Sequence, residues 1–184
     1  MRQNTLYKAI MKNILSTIIL SLISITTYAD INTISGNWSF LNEETTAIVV
    51  FDYNEATWED ESYYEQWCGD DFAKRVKLGY GSFILGFNNE SSRMKIKQED
   101  SSAKYRITVK INKLEENHGA LMNGGLWGRY YISCFGTIIV EEISTGVVVC
   151  KAIIDDEEGE RDLVIEDRLA KCFNALGSAI AKME

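Results

Sequence analysis

The 184-residue chain has no proline, a single histidine (His118), no C-x-x-C pair and few basic residues: 19 Lys plus Arg against 27 Asp plus Glu. Each scarcity removes a class of function. Average usage of about 5% would supply several prolines, so the turns must be made by Gly, Asn and Ser. A Ser-His-Asp or Cys-His centre needs a base that titrates near neutrality, and only His118 is available. It lies in EENHGALMNGGLWGR, a glycine-rich stretch with no nucleophile turn nearby, so it reads as a loop residue and no catalytic residue is assigned. The same glycines match neither phosphate-cradling pattern. Without C-x-x-C there is no zinc-ribbon or thioredoxin-like signature. The acidic balance excludes a nucleic-acid footprint, which requires a basic face, and disfavours adsorption to anionic lipid.

What is present begins with MRQNTLYKAIMKNILSTIILSLISITTYAD. Arg2, Lys8 and Lys12 precede an apolar run from Ile14 to Ile25, and small or polar residues continue up to Ala29. This is the layout of a secretory signal peptide over residues 1–29, and Met11 would serve as a start equally well. The apolar core is shorter than the roughly 20 residues needed to span a bilayer, so no membrane span is expected in the mature chain. Residues 30–184 are then one exported globular domain, periplasmic, secreted or at the cell surface, with 16 basic against 27 acidic residues. A domain of this size buries about 68–70% of the surface its unfolded chain exposes, enough for a core without metal or staples.

Hydrophobic patterning supplies the elements. Thr46 to Tyr53 is a β-branched run of strand length. In DDFAKRVKLGYGSFILGFNNESS, Phe72, Val76, Tyr80, Phe83 and Phe87 recur at helical spacing. Gly79 and Gly86 share that face and suggest close packing on a sheet. Met94 to Lys97 has the length of a short strand. From Lys104 to Asn112 alternation is strict, with Tyr105, Ile107, Val109 and Ile111 on one face. RYYISCFGTIIVEEISTGVVVCKAIIDD reads as a hairpin around Ser144-Thr145-Gly146, with Val140 opposite Cys150 and Ile138 opposite Ala152. Its buried face would be Cys134, Ile138, Val140, Val148, Cys150, Ala152 and Ile154. Residues 162–182 place Ile165, Leu169, Cys172, Phe173, Leu176, Ile180 and Met183 on one stripe. The expected order is β-α-β-β-β-α: an α+β, two-layer sandwich with a mainly antiparallel sheet and two helices on one face.

From Gly136 onward the chain resembles a family of small exported bacterial proteins of unknown function. The residues that carry this are Thr145 to Cys150 (T-G-x-V-V-C), Asp155 to Gly159 (D-D-x-x-G) and Asp167 to Gly177 (D-R-L-x-x-x-F-x-x-L-G). The resemblance implies one envelope-located domain and supplies no catalytic residues. More loosely, the strand order is similar to small α/β docking modules of periplasmic and outer-membrane lipoproteins.

Four constellations bear on chemistry. WEDESYYEQWCGDD, residues 58–71, holds four aromatics and six carboxylates. Ser62 and Glu65 have capping-box spacing, which places the acids at a helix start. The rival reading is a stacking surface for a sugar or partner formed by Trp58, Tyr64 and Trp67, with Trp127 lining a contact surface. A glycosidase would further need two carboxylates facing each other about 5–9.5 Å apart. Cys68, Cys134, Cys150 and Cys172 allow three pairings, and the hairpin register separates Cys134 from Cys150 by roughly 20 Å. Cys150 with Cys172, or Cys134 with Cys172, stays open. Asp155 to Glu160 lacks the spacing of a calcium loop and reads as a solvated turn. No metal or cofactor is implied. The reading is therefore a non-enzymatic envelope interaction module for an unknown envelope protein or small ligand; the alternative is a carboxylate-dependent glycan hydrolase.

Overall fold

A computed structural model of the chain describes residues 30–118, 130–160 and 162–183; the signal-like segment and Trp127 lie outside them. The strands are β1 (Asp30–Gly36), β2 (Thr46–Asp52), β3 (Thr57–Trp58), β4 (Ser62–Tyr63), β5 (Lys95–Lys97), β6 (Tyr105–His118), β7 (Tyr130–Glu142) and β8 (Val147–Glu158). The helices are α1 (Tyr64–Cys68), α2 (Phe72–Glu90) and α3 (Ile165–Ala181). One eight-stranded sheet runs β1-β8-β7-β6-β2-β5, with the β3–β4 pair continuing beside β6 where β2 ends.

The class is α+β, but the sheet is mixed rather than mainly antiparallel. β2 runs parallel to both β5 and β6, and β3 runs parallel to β6, while β1, β8, β7 and β6 pair antiparallel. The reason is the α2 crossover, which returns the chain to the starting edge so that β5 must lie parallel to β2. β1 and the β3–β4 pair extend the expected element order. β1 was hidden because DINTISG is rich in turn-forming polar residues. Behind it, Trp38, Phe40 and Leu41 are buried, and the Trp38 indole donates to Thr33 at 2.8 Å.

The alternation of β6 is realised: Tyr105, Ile107, Val109 and Ile111 are all buried. In the hairpin, Val140 faces Cys150 and Ile138 faces Ala152, as the sequence register requires. A shift between Val140 and Glu141 then lengthens the turn and pairs Glu142 with Val147, leaving Val148 exposed, contrary to its expected burial. Gly146 takes the left-handed turn conformation at φ +69°.

A second row of irregularities crosses the sheet at one level. β6 shifts between Ile111 and Lys113, and the β7–β8 pair shifts between Cys134 and Gly136. Asp156 adopts φ +62° there. An extra residue in a strand re-aims the side chains beyond it. Cys134 thus faces Glu157 rather than residue 156, and the Glu157 side chain is turned inward and buried.

On the core side, Phe51 of β2 meets Phe83 and Phe173 edge-on at 5.3 and 5.4 Å. α2 and α3 pack parallel: Arg75, Ser82, Gly86 and Glu90 meet Glu166, Asn174, Ser178 and Lys182 in turn. Gly79 and Gly86 therefore serve the helix–helix contact and not the sheet. A Cβ at Gly79 would strike the Phe173 ring at 2.8 Å, and one at Gly86 the Asn174 carbonyl oxygen at 2.0 Å.

Candidate functional site

Parallel packing puts the amino termini of α2 and α3 at one end of the molecule, together with the β3–β4 turn and the β6 and β8 carboxylates. The partial positive charge at each helix start favours acids nearby. Asp71 precedes α2, and Glu166 and Asp167 stand in the first turn of α3. This explains in part why a strongly acidic sequence concentrates its charge here.

The stretch at residues 58–71 does not form a capped helix start. Ser62 lies in β4 paired with Trp58, and Tyr63 precedes α1 in extended conformation with no side-chain cap bond. The turn between β3 and β4 holds Glu59 and Asp60 at φ +53° and +59°, conformations L side chains rarely adopt. With no glycine or asparagine to mark it, the turn was not legible. α1 stops at Gly69, which takes φ +54°.

Trp58, Tyr64 and Trp67 are brought together. The two indoles stack at 3.7 Å with an interplanar angle of 10°, and Tyr64 lies 5.8 Å from Trp67. Tyr53 continues the ladder, 5.7 Å from Tyr64. Trp58 and Tyr64 are buried, at 5% and 1% exposure, and the Arg75 guanidinium covers the Trp67 ring at 4.6 Å. Arg75 also reaches Glu166 at 3.5 Å and Asp71 at 3.9 Å, tying α2 to α3. Burial pushes the Tyr64 and Tyr53 phenols well above their ordinary pKa, so both stay neutral at physiological pH.

Around this ladder several of the acids are engaged. Lys113 bridges Asp60 at 3.3 Å and Glu115 at 2.8 Å. Glu59 accepts the Glu116 backbone N–H at 3.4 Å. Arg168, which the apolar stripe of the last helix did not reveal because arginine ranks as a surface residue, is buried and holds Glu116 at 2.5 Å. Its guanidinium also donates to the Asp162 and Leu163 carbonyls at 3.2 and 2.9 Å and lies over Tyr130. Among the described residues no group of three or more His, Cys, Asp or Glu side chains is arranged to hold a metal. No described helix is long and apolar enough to cross a membrane.

Asp162 accepts from Lys171 at 2.8 Å and from the Leu163 and Val164 backbone N–H groups, and these bonds hold its carboxyl down at about 2. A folded pKa below the unfolded one contributes stability above the unfolded pKa, lost as pH falls through the folded value. The melting temperature is therefore expected to hold from pH 7 to about 5 and to fall between about pH 4 and 2. Asp162→Asn should make that fall shallower; thermal melts across the range check it.

All four cysteines are buried thiols. Of the pairings left open by the sequence, Cys172 sits level with Glu157, to whose carbonyl its thiol donates at 3.7 Å, and Cys134 is the register partner of Glu157. Cys150 lies seven residues back along β8, about 23 Å away at 3.3 Å per residue.

No protein-family model and no curated protein sequence matches the chain. Among solved structures it is similar to the PelC dodecamer protein of Paraburkholderia phytofirmans, at 13% identity over 81% of this chain and 96% of that one, TM-score 0.45. A neuraminyllactose-binding hemagglutinin homolog of Helicobacter pylori is similar at 8% identity over 81% and 87%, TM-score 0.38. These are remote resemblances, and what either protein binds or assembles into belongs to it.

Proposed function

We propose that the protein is an exported, non-enzymatic interaction module of the cell envelope, and that its contact surface is the acidic end where α2 and α3 begin. In this reading α2 and α3 form one layer over one face of the sheet. Their shared orientation presents loops and helix starts to a partner. The observation that carries the reading is the exposure of Tyr63 (56%), Leu163 (68%) and Val164 (50%) at the same acid-rich end. A few side chains seated in a partner's pockets, tyrosine among the commonest, dominate binding energy, while surrounding charges set orientation and on-rate. Tyr63 is the chain neighbour of Tyr64, which lies 5.8 Å from Trp67 in the aromatic stack. The partner of this chemistry is a protein surface with apolar pockets and a basic rim.

The test places a photo-crosslinking residue at Leu163, or at Val148 beside the opposite turn, and exposes each purified chain to solubilised envelope. A discrete adduct from position 163, absent from 148 and weakened by salt, is expected. Equal labelling from both positions overturns the proposal. So does glycan hydrolysis by the purified chain that is abolished by neutralising Glu59, Asp60 and Glu65.

A further inference from the structure

We infer that Cys134 and Cys172 form a site of covalent modification, joined by a disulfide when the chain folds under oxidising conditions. The pairing rests on how closely α3 approaches the sheet at that level. Beyond β8, Gly159 lies directly against the helix: a Cβ there would meet the Cys172 nitrogen at 2.6 Å and its Cα at 2.7 Å. The Gly159 N–H bonds the Ile132 carbonyl at 3.0 Å, so the helix backbone, the end of β8 and residues 132–134 of β7 are locked together. The bulge at Asp156 turns Glu157 to face Cys134, and Cys172 bonds to the Glu157 carbonyl. Cys134 and Cys172 are thus both buried on either side of Glu157, one as its register partner and the other bonded to its carbonyl.

Neither of the other thiols competes. Cys150 lies far along β8. Cys68 ends α1, which packs on β3, β4 and α2. The Tyr53 hydroxyl is buried without a hydrogen-bond partner, and burial raises its pKa.

The chemistry is thiol–disulfide exchange with a small-molecule or protein disulfide. One cysteine thiolate attacks the exchanger and releases one exchanger thiol; the second thiolate then displaces the other, leaving S–S between Cys134 and Cys172. Two electrons and two protons pass from the protein thiols to the exchanger, which becomes two thiols. In the folded chain Cys172 is fully buried, and the neighbouring Cys134 and the exclusion of water push its thiol pKa up, so the thiolate is scarce there. Exchange therefore takes place before the core closes.

The test refolds the reduced, denatured chain with glutathione and glutathione disulfide, alkylates in denaturant without reductant, and maps fragments after trypsin and glutamate-specific cleavage, which separates Cys134 from Cys150. The expected product links the Cys134 and Cys172 fragments and leaves Cys68 and Cys150 alkylated. Closing a loop of about 40 residues should raise the melting temperature by about 8 °C over the reduced chain. Cys150→Ala should keep that gain, and Cys134→Ala and Cys172→Ala should lose it. Four alkylated thiols, or a link through Cys150 or Cys68, overturn the inference. The fragment map uses the unsubstituted chain and an added oxidant, so its outcome is separate from that of the envelope-contact experiment.

Discussion

Gly86→Ala is expected to lower stability by about 3 kcal/mol, although alanine is the better helix former by about 1 kcal/mol. A Cβ at this position would stand 2.0 Å from the Asn174 carbonyl oxygen and 2.9 Å from its carbon. Those are backbone atoms, so no rotamer relieves the overlap and α2 must move away from α3. Gly177 makes the reciprocal approach, where a Cβ would stand 2.2 Å from the Phe83 oxygen, so the two glycines work as one contact. Separation would loosen Phe83, Phe87 and Leu176, all essentially fully buried. At roughly 2–4 °C per kcal/mol for a domain of this size, the melting temperature should drop by about 6–12 °C. Gly81→Ala is the control: nothing lies within 4 Å of its Cβ position, so propensity alone acts and the melt should shift slightly upward. Equal shifts for both variants would show that the helices do not meet at Gly86.

Arg168→Ala is expected to cost about 3 kcal/mol, for a different reason. The buried guanidinium serves Glu116, two backbone carbonyls and the Tyr130 ring at once. Its loss strands the Glu116 carboxylate, whose side chain is 25% exposed, and removes donors from the Asp162 and Leu163 carbonyls. Arg168→Lys should recover only part of the loss, because an ammonium cannot span these acceptors with a planar fork. Urea unfolding of Arg168→Ala, Glu116→Gln and the double variant, treated as a double-mutant cycle, measures the coupling. A coupling near zero would show that the pair is not an energetic unit.

Periodicity located α2, β6, the β7–β8 hairpin and α3 because each carries its core face in local spacing. The stripe Leu169, Cys172, Phe173, Leu176 and Ile180 is buried as written in the sequence. β1 and the β3–β4 turn escaped because their residues carry weak or contrary local signals, and pairing with β8 and β6 overrides them. The aromatic residues of the candidate site were legible as a group, yet their stacking was not: Trp58 and Trp67 meet through the positive-φ turn at Glu59 and Asp60, which no residue type announced. Arg168 was invisible as a site residue because a helix stripe ranks residues by apolarity, whereas its burial depends on acceptors contributed by β6 and the α3 entry.

By itself the sequence determined the α+β class, the inward faces of the central strands and the last helix, and the inner register of the hairpin. These come from side-chain alternation every 2 or about 3.6 residues, a property of the local chain. Tertiary structure alone decided that β2 lies between β5 and β6, that α2 and α3 run parallel with glycines at the crossing, and that Cys172 stands beside Cys134. Each depends on backbone segments distant in sequence approaching within contact distance, and on single-residue bulges that reverse which side chains face the core.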